Sequence, residues 1–257
     1  MRNHLVLEIC VESVNHAVAA ERGGAQRIEL CTDLASGGIT PSAELMQTAR
    51  RLVQIPIHVL IRPRAGNFYY SDDELEIMGN NIRAARQFGM DGVVLGVLQK
   101  NARVDIERTK ALVKLAHPLS VTFHRAFDVA KNLDTSLEDV IQTGASRILT
   151  SAGQPRATDG LSTLARLVQS ARDRISIMPC GGINSDNVVH IVRATSAQEV
   201  HSSAGTSSPN STGDGDDLSE GNNDVGSGVQ SEPFEQRVAK LVSLLSDASQ
   251  DEHVGGK

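Results

Sequence analysis

This sequence has few aromatic residues and no excess of positive charge. Its 257 residues include no tryptophan and only 3% aromatic side chains, and 31 acidic residues outnumber 25 lysines and arginines to leave a net charge of −6. Duplex nucleic acid is bound by basic surfaces, and single strands are bound on aromatic platforms. We therefore expect no nucleic-acid partner.

Long apolar runs and paired cysteines are scarce as well. No stretch approaches the roughly 20 apolar residues that span a bilayer. In the opening MRNHLVLEIC, glutamate and cysteine interrupt the apolar run, so we expect no signal peptide. Three cysteines do not make the disulfide framework of a small secreted domain. With 40% hydrophobic residues, the chain is expected to be a soluble, cytoplasmic, globular protein with no membrane partner.

Short apolar, β-branched segments alternate with segments of helical periodicity along most of the chain. The apolar segments predict eight strands, at 5–10, 27–31, 57–62, 92–97, 120–125, 146–151, 175–180 and 198–203. The helical segments carry start signals such as Ser42 and Ser71 and a stop signal at Gly144. Eight strand–helix units in about 250 residues predict an α/β fold, a single (β/α)8 TIM barrel with a parallel sheet inside and helices outside.

An acidic, low-complexity segment interrupts this pattern before the last helix. Residues 202–231 hold five acids and no lysine or arginine, and they consist mostly of serine, glycine, aspartate and asparagine. Such a composition cannot bury an apolar face. We therefore expect a barrel core at 1–205, a flexible and disordered tether at 206–232, a C-terminal helix at 233–248 packed back on the barrel, and a disordered tail at 249–257.

Carboxylates and thiols occupy the predicted barrel interior, which is usually filled by valine, isoleucine and leucine. Side chains alternate between the faces of a strand, so the apolar neighbours of Glu8, Cys10, Glu29 and Cys31 turn these four inward. The two Glu-x-Cys patterns are predicted at equal heights on adjacent strands. Either the carboxylates form an internal salt-bridge network with inward arginines, or they belong to a site at the carboxyl ends of the strands.

The cysteines of these two strands are candidate metal ligands. A single inward cysteine is usually a small buried hydrophobic residue. Two cysteines on adjacent strands, which lie about 4.8 Å apart, can direct both sulfurs at one ion. A pair of thiolates suits Cu(I), whereas structural zinc sites use closely spaced pairs and four ligands. Cys10 and Cys31 are thus predicted to bind Cu(I), and burial as inert core residues is the alternative.

Histidine and carboxylate side chains near the strand ends are candidates for proton transfer. Histidine is the side chain best suited to gain or lose a proton near neutral pH. His124 opens the segment HRAFD after the fifth strand, where a core histidine bonded to a carboxylate is the alternative. The predicted catalytic residues are Glu8, Glu29, His124 and Asp128.

Arginines and glycines at the strand ends predict contacts with an anionic ligand. Arg62 and Arg64 resemble an anion clamp, and a solvated loop with one internal ion pair is the alternative. Barrels often bind phosphate on backbone N–H groups after strands seven and eight. The further predicted substrate contacts are Thr150, Ser151, Gly181, Gly182, His201, Ser202 and Ser203.

Segments spread over residues 5 to about 205 resemble one known family. They are EICVES (8–13), ERGGAQRIELC (21–31), GGITPS (37–42), IRPRAGNFYYSDDE (61–74), VTFHRAFD (121–128), RILTS (147–151) and EVHSSAG (199–205). The chain resembles the CutC family, which is named for copper homeostasis. This resemblance implies a barrel, a cytosolic location, a role in copper handling with Cys10 and Cys31 as Cu(I) ligands, and self-association as a homodimer.

The sequence departs from the family pattern in two places. Strand seven ends in PCGG, which adds the Cys180 thiol, and the stretch after His201 is acidic where relatives are basic and methionine-rich. We therefore weigh a cytosolic copper homeostasis protein that binds Cu(I) at the barrel mouth against a TIM-barrel enzyme that acts on a small anionic or phosphorylated metabolite. A structural or partner-binding barrel is a third hypothesis, and whether the protein is an enzyme stays open.

Overall fold

Strands and α-helices alternate through the residues that the structure, a computed structural model, describes, namely 5–205 and 232–251. The strands are β1 Val6–Val11, β2 Arg27–Leu30, β3 Ile57–Leu60, β4 Gly92–Leu95, β5 Ser120–Phe123, β6 Arg147–Thr150, β7 Ser176–Pro179 and β8 Glu199–Ser202. The helices are α1 Val14–Arg22, α2 Ala43–Leu52, α3 Asp72–Gln87, α4 Ile106–Ala116, α5 Leu133–Thr143, α6 Leu161–Ala171, α7 Val188–Thr195 and α8 Phe234–Asp251. None of the helices in these ranges combines the length and apolar character that crossing a bilayer requires.

The eight strands form one parallel sheet. Hydrogen-bonded neighbours follow the order β7-β6-β5-β4-β3-β2-β1-β8. Since β7 also lies beside β8, the sheet is a nearly closed barrel. The predicted (β/α)8 TIM barrel is therefore confirmed.

The register between the first two strands differs from the prediction. Glu8 pairs with Arg27 and Cys10 pairs with Glu29, so the two Glu-x-Cys patterns are offset by two residues along the strands. The prediction of equal heights was wrong because a sheet can close into a barrel only when its strands are staggered. The stagger places Cys10 beside Glu29, and Cys31 lies diagonally above the pair.

Helix boundaries follow the chemistry of a few polar residues and glycines. The Ser42 hydroxyl accepts a hydrogen bond from the Leu45 backbone N–H at 3.2 Å and caps α2. Ser71 and Glu74 form a reciprocal capping box at the start of α3. Gly144 ends α5 with a left-handed φ of 84°, a conformation that glycine adopts without steric cost.

The hydrophobic core lies between the sheet and the helices. Every second side chain of β1, Leu7, Ile9 and Val11, is fully buried on this outer face of the barrel. The same parity holds in β2, where Ile28 and Leu30 are fully buried. Because these residues pack against the helices, the alternate side chains point into the barrel and are available for polar interactions.

Helix α8 completes the outer layer next to α1 and α7. Val238, Leu241 and Leu245 form its buried face. The helix continues past the predicted end at 248 to Asp251, and the Ser249 hydroxyl donates to the Leu245 carbonyl one turn back at 2.9 Å. Most of the predicted tether, at 206–231, and most of the predicted tail, at 252–257, lie outside the described residues, as do residues 1–4.

The contact between the end of α1 and α8 is tested by adding one methyl group at Gly23. A Cβ there would lie 2.7 Å from both the Glu235 carbonyl oxygen and the Val238 Cβ, although the φ of −70° itself accepts alanine. We expect Gly23→Ala to lower the free energy of unfolding by about 1–3 kcal/mol, measured by urea denaturation.

Gly79→Ala in the middle of α3 is the matched control. Its new Cβ would meet the flexible Leu115 side chain at 3.3 Å, and alanine favours the helix over glycine. We expect the stability of this variant to lie within about 1 kcal/mol of the parent. Equal losses of stability in the two variants would contradict the proposed packing of α8.

Candidate functional site

A cavity of about 320 Å³ opens at the carboxyl ends of the strands. Barrel proteins place their ligand sites at this end because the loops that follow the strands converge there. The volume lies at the lower end of the range for small-molecule pockets. The predicted residues that line the cavity are Cys10, Glu29, Arg62, His124, Gly181, Gly182, His201, Ser202 and Ser203.

Two thiols, a carboxylate and an imidazole meet on one side of this cavity. The Cys10 Sγ lies 3.3 Å from the Cys31 Sγ and 3.5 Å from the Glu29 Oε1. Donor atoms of Cys10, Glu29 and His201 all lie within 4.8 Å of one another. Cys31 is fully buried behind Cys10 and does not line the cavity itself. We call these four residues the thiol cluster.

Burial and mutual contact set the protonation of the thiol cluster. The hydrogen bond with Cys31, burial and the nearby Glu29 raise the pKa of the Cys10 thiol well above its usual value. Burial raises the pKa of Glu29 to about 7, and its Oε2 has no hydrogen-bond partner among the described residues. The Cys10 thiol is thus neutral beside a carboxyl group whose pKa is near 7.

An ion-pair network fills the barrel below the thiol cluster. The carboxylate of Glu8, which is fully buried, pairs with Arg27, and Arg27 pairs with Glu199. The Arg147 Nε contacts the same Glu199 carboxylate at 2.9 Å. Burial alone would raise the pKa of Glu8, but Arg27 and His201 hold it well below its usual value. The salt-bridge alternative therefore holds for Glu8, whereas Glu29 faces the polar cavity above the network. Whether this cavity is a ligand site stays a prediction.

Glu8 also orients the histidine of the thiol cluster. The His201 Nδ1 lies 2.7 Å from the Glu8 Oε1. Although burial lowers it, the pKa of His201 is raised overall by this hydrogen bond and by the charges of Glu29 and Glu8. Glu8 does not line the cavity, so its contact with the site runs through His201.

His124, Phe68 and Arg62 form a second group of cavity-lining residues, which we call the aromatic wall. The Phe68 ring centroid lies 4.9 Å from that of His124 and 5.0 Å from the Arg62 Cζ. The His124 Nδ1 accepts a hydrogen bond from the Ala126 backbone N–H at 3.2 Å. Burial, and after it the positive charge of Arg62, lower the pKa of His124 to about 3. His124 is therefore a neutral hydrogen-bond donor at Nε2 and a poor general base.

Arg64 lies outside the cavity lining. Its Nε contacts the Glu74 carboxylate at 2.5 Å, and its Nη2 donates to the Tyr69 carbonyl at 2.8 Å. These bonds fix the loop after β3 against the start of α3. The structure therefore does not bring Arg64 together with Arg62 as a clamp, because the Glu74 carboxylate attracts its guanidinium away from the cavity.

Asp128, Thr150 and Ser151 also lie outside the cavity lining. The Asp128 carboxylate accepts hydrogen bonds from the Thr150 hydroxyl at 2.5 Å, from the Ser151 backbone at 3.0 Å and from the Gly153 backbone at 3.0 Å. Arg125 donates to the same carboxylate at 2.8 Å. Because its oxygens accept these hydrogen bonds, Asp128 joins the loop after β5 to the loop after β6. These three predicted site residues thus connect two loops beside the cavity.

The loops after β7 and β8 line the cavity as predicted from their position. Gly181 and Gly182 have left-handed φ values of 91° and 69°. The Ser202 hydroxyl donates to the Ile183 carbonyl and accepts from the Ala204 N–H at 3.0 Å, so it joins the two loops. Ser203 faces the cavity next to it. Whether this edge binds phosphate remains a prediction.

Three residues in or below the cavity were not predicted from the sequence. Arg147 stands on the inward face of β6, and the alternation rule applied to that strand would have found it. Arg125 lines the cavity within the HRAFD segment, where only its neighbours were singled out. Phe68 comes from the loop after β3, and no periodicity in the sequence marks its position.

The fold and the site together define a (β/α)8 barrel protein with a small polar ligand cavity at the carboxyl ends of its strands. The model of the CutC family matches residues 5–206. The family protein CutC of Vibrio cholerae serotype O1 is 48% identical over 205 residues, which cover 79% of this chain and 81% of the Vibrio protein. The chain belongs to the CutC family.

Two further comparisons agree with this membership. The copper homeostasis protein cutC homolog of Homo sapiens is 46% identical over 202 residues, which cover 79% of this chain and 74% of the human protein. A crystal structure of a CutC protein from Streptococcus agalactiae matches with a TM-score of 0.74 and 32% identity, and the match covers 77% of this chain and 98% of that protein. The resemblance inferred from the sequence motifs is therefore confirmed.

The ion-pair network is tested at Glu8. Glu8→Gln removes the charge, keeps the volume and leaves Arg27 with one carboxylate partner, so we expect it to lower the free energy of unfolding at pH 7 by about 3 kcal/mol. The folded-state pKa of Glu8 lies below its usual value of 4.5. Its stabilisation is therefore present above pH 4.5 and decreases as the pH falls toward the folded-state pKa.

Urea denaturation at pH 7 and pH 3 measures this difference. Glu76→Gln, at an exposed position on α3, is the control and should stay within about 0.5 kcal/mol of the parent. A Glu8→Gln variant that is as stable as the parent, or a loss that is the same at both pH values, would contradict the role of Glu8.

Proposed function

We propose that this protein is a copper homeostasis protein that binds Cu(I) at the thiol cluster. The observation that carries the proposal is the 3.3 Å separation of the Cys10 and Cys31 sulfurs at the barrel mouth. A relative named as a copper homeostasis protein supports copper as the bound ion. Copper is the substrate of this site in the sense that the protein holds and passes on the ion.

The donor atoms of the cluster suit a soft monovalent ion. Two thiolates bind Cu(I) in preference to harder divalent cations. His201 offers a third ligand, because the hydrogen bond between its Nδ1 and Glu8 leaves Nε2 available. A carboxylate that fixes a histidine in this way is common behind metal ligands, where it sets the tautomer and strengthens the donor. We therefore assign Cys10, Cys31 and His201 as the ligands and Glu8 as their support.

Loading the cluster requires that the thiols lose their protons. The raised pKa of Cys10 means that the ion displaces a proton from this sulfur when it binds. The Cys10 S–H donates to the Glu29 Oε1, which makes this carboxyl group an adjacent acceptor for that proton. Glu29 also faces the cavity, so a proton that reaches it has a path to solvent.

The location and the assembly of the protein belong to the same proposal. All three cysteines are free and buried, as expected of a protein in a reducing compartment, so we propose a cytoplasmic location. The homodimer implied by the family resemblance stays a prediction.

The size of the cavity favours a second candidate function. About 320 Å³ is far more space than one copper ion occupies, and it corresponds to a small organic molecule. An enzyme that acts on a small anionic or phosphorylated metabolite would use this space, with Glu29 and His124 in contact with the substrate. His124 lies outside the thiol cluster, so mutation of His124 separates this candidate from copper binding.

An anaerobic Cu(I) competition titration tests the copper proposal. We expect the parent to bind one ion per chain, and the double variant Cys10→Ser, Cys31→Ser to lose at least a hundredfold in affinity, because serine oxygens are poor ligands for a soft ion. His201→Ala should weaken binding roughly tenfold to a hundredfold. Circular dichroism checks that each variant retains its fold.

Cys180→Ser is the matched control for these variants. Cys180 is buried and lines the same cavity, but it lies outside the thiol cluster. We expect this variant to bind Cu(I) like the parent. Parent-like binding by the double variant, or a loss in Cys180→Ser as large as in the double variant, would overturn the assignment of Cys10 and Cys31.

A further inference from the structure

We propose that the aromatic wall of the cavity binds an oxyanion, the carboxylate or phosphate group of a small molecule, between His124 and Arg62. This inference goes beyond copper binding and does not depend on it. The thiol cluster offers sulfur and nitrogen ligands to a cation, whereas the aromatic wall offers an N–H donor and a positive charge. The two halves of one cavity thus differ in the sign of the charge that they accept.

His124 presents a buried donor that has no acceptor. Because its Nδ1 accepts the Ala126 N–H, the ring proton resides on Nε2. The side chain is only 4% exposed, and its Nε2 has no hydrogen-bond partner among residues 5–205 and 232–251. A buried N–H without an acceptor lowers stability because it has lost its hydrogen bond to water, and a ligand oxygen would restore that bond. The protonated Nε2 also excludes His124 as a metal ligand in this state.

Arg62 supplies a positive charge next to this donor. Its guanidinium is buried and donates to the carbonyl oxygens of Gly38 and Gly66, both at 2.8 Å. Within the described part of the chain, its hydrogen-bond acceptors are backbone carbonyls, which orient the guanidinium without neutralising it. Its Nε has no partner there either. A buried charge of this kind favours an anion over a neutral acceptor.

The aromatic wall is held rigid before any ligand binds. Phe68 contacts both the His124 ring and the Arg62 guanidinium. Behind His124, a Cβ at residue 96 would lie 2.7 Å from the imidazole Nδ1, so Gly96 makes the space that the ring occupies. Donors fixed in this way lose little conformational entropy when they bind a ligand.

Titration of the metal-free full-length protein with inorganic phosphate and, separately, with malonate tests this site. Two signals are followed: the melting temperature, and the ¹H–¹⁵N resonance of the His124 Nε2–H. We expect at least one anion at millimolar concentration to raise the melting temperature and move this resonance. A response to phosphate alone identifies a phosphorylated ligand, and a response to malonate alone identifies a carboxylate.

Three variants separate binding by His124 from general effects of salt. His124→Phe keeps an aromatic ring and removes the donor, and we expect it to weaken anion binding roughly tenfold to a hundredfold. His124→Gln retains an N–H donor and should recover part of this loss. His190→Gln, at an exposed position on α7, should behave like the parent.

The same titration distinguishes this inference from the copper proposal. The Cys10→Ser, Cys31→Ser variant lacks the proposed copper ligands and should keep the full anion response. No response of the parent to either anion, or equal responses of the parent and His124→Phe, would overturn the oxyanion site whatever the copper titration shows.

Discussion

The buried carboxylate of Glu8 is the contact on which the barrel interior and its site both depend. It neutralises Arg27 below and fixes the imidazole of His201 above, so one side chain joins the ion-pair network to the thiol cluster. Removal of Glu8 or of Arg27 would leave the charge of the other deep in the protein, where water cannot solvate it. The interior is therefore constrained as a unit, and the orientation of a proposed metal ligand follows from the electrostatics of the layer beneath it.

The stagger of the strands determines which groups meet at the cavity. With equal heights, Glu8 would stand beside Glu29 and two carboxylates would repel each other. The observed register sets Glu8 opposite Arg27 and Glu29 opposite Cys10. Within the described part of the chain, no ion pair of Glu29 with an arginine is formed, and burial raises its pKa to about 7. Closure of the barrel thus produces both a stable ion pair and a carboxyl group that changes charge near neutral pH.

The sequence was sufficient for the fold and for part of the site. Alternation of side chains along strands identified Cys10, Glu29 and His201 as inward residues, because this rule depends only on the local backbone. It could not reveal that Arg64 turns toward Glu74 or that Phe68 packs on His124, since both contacts depend on how the loop after β3 folds. The oxygens of Asp128 are likewise taken up by the next loop, a pairing across 22 residues that no motif encodes.

The contact between Glu8 and His201 joins residues that are 193 positions apart in the chain. These residues belong to the first and last strands along the chain, β1 and β8, which pair in parallel in the folded barrel. Contacts of such long range form late, because the entropy of closing the intervening chain must be overcome first. The thiols of the first two strands can meet early in folding, but the imidazole arrives last. A chain emerging during synthesis therefore carries an incomplete thiol cluster until its eighth strand is in place.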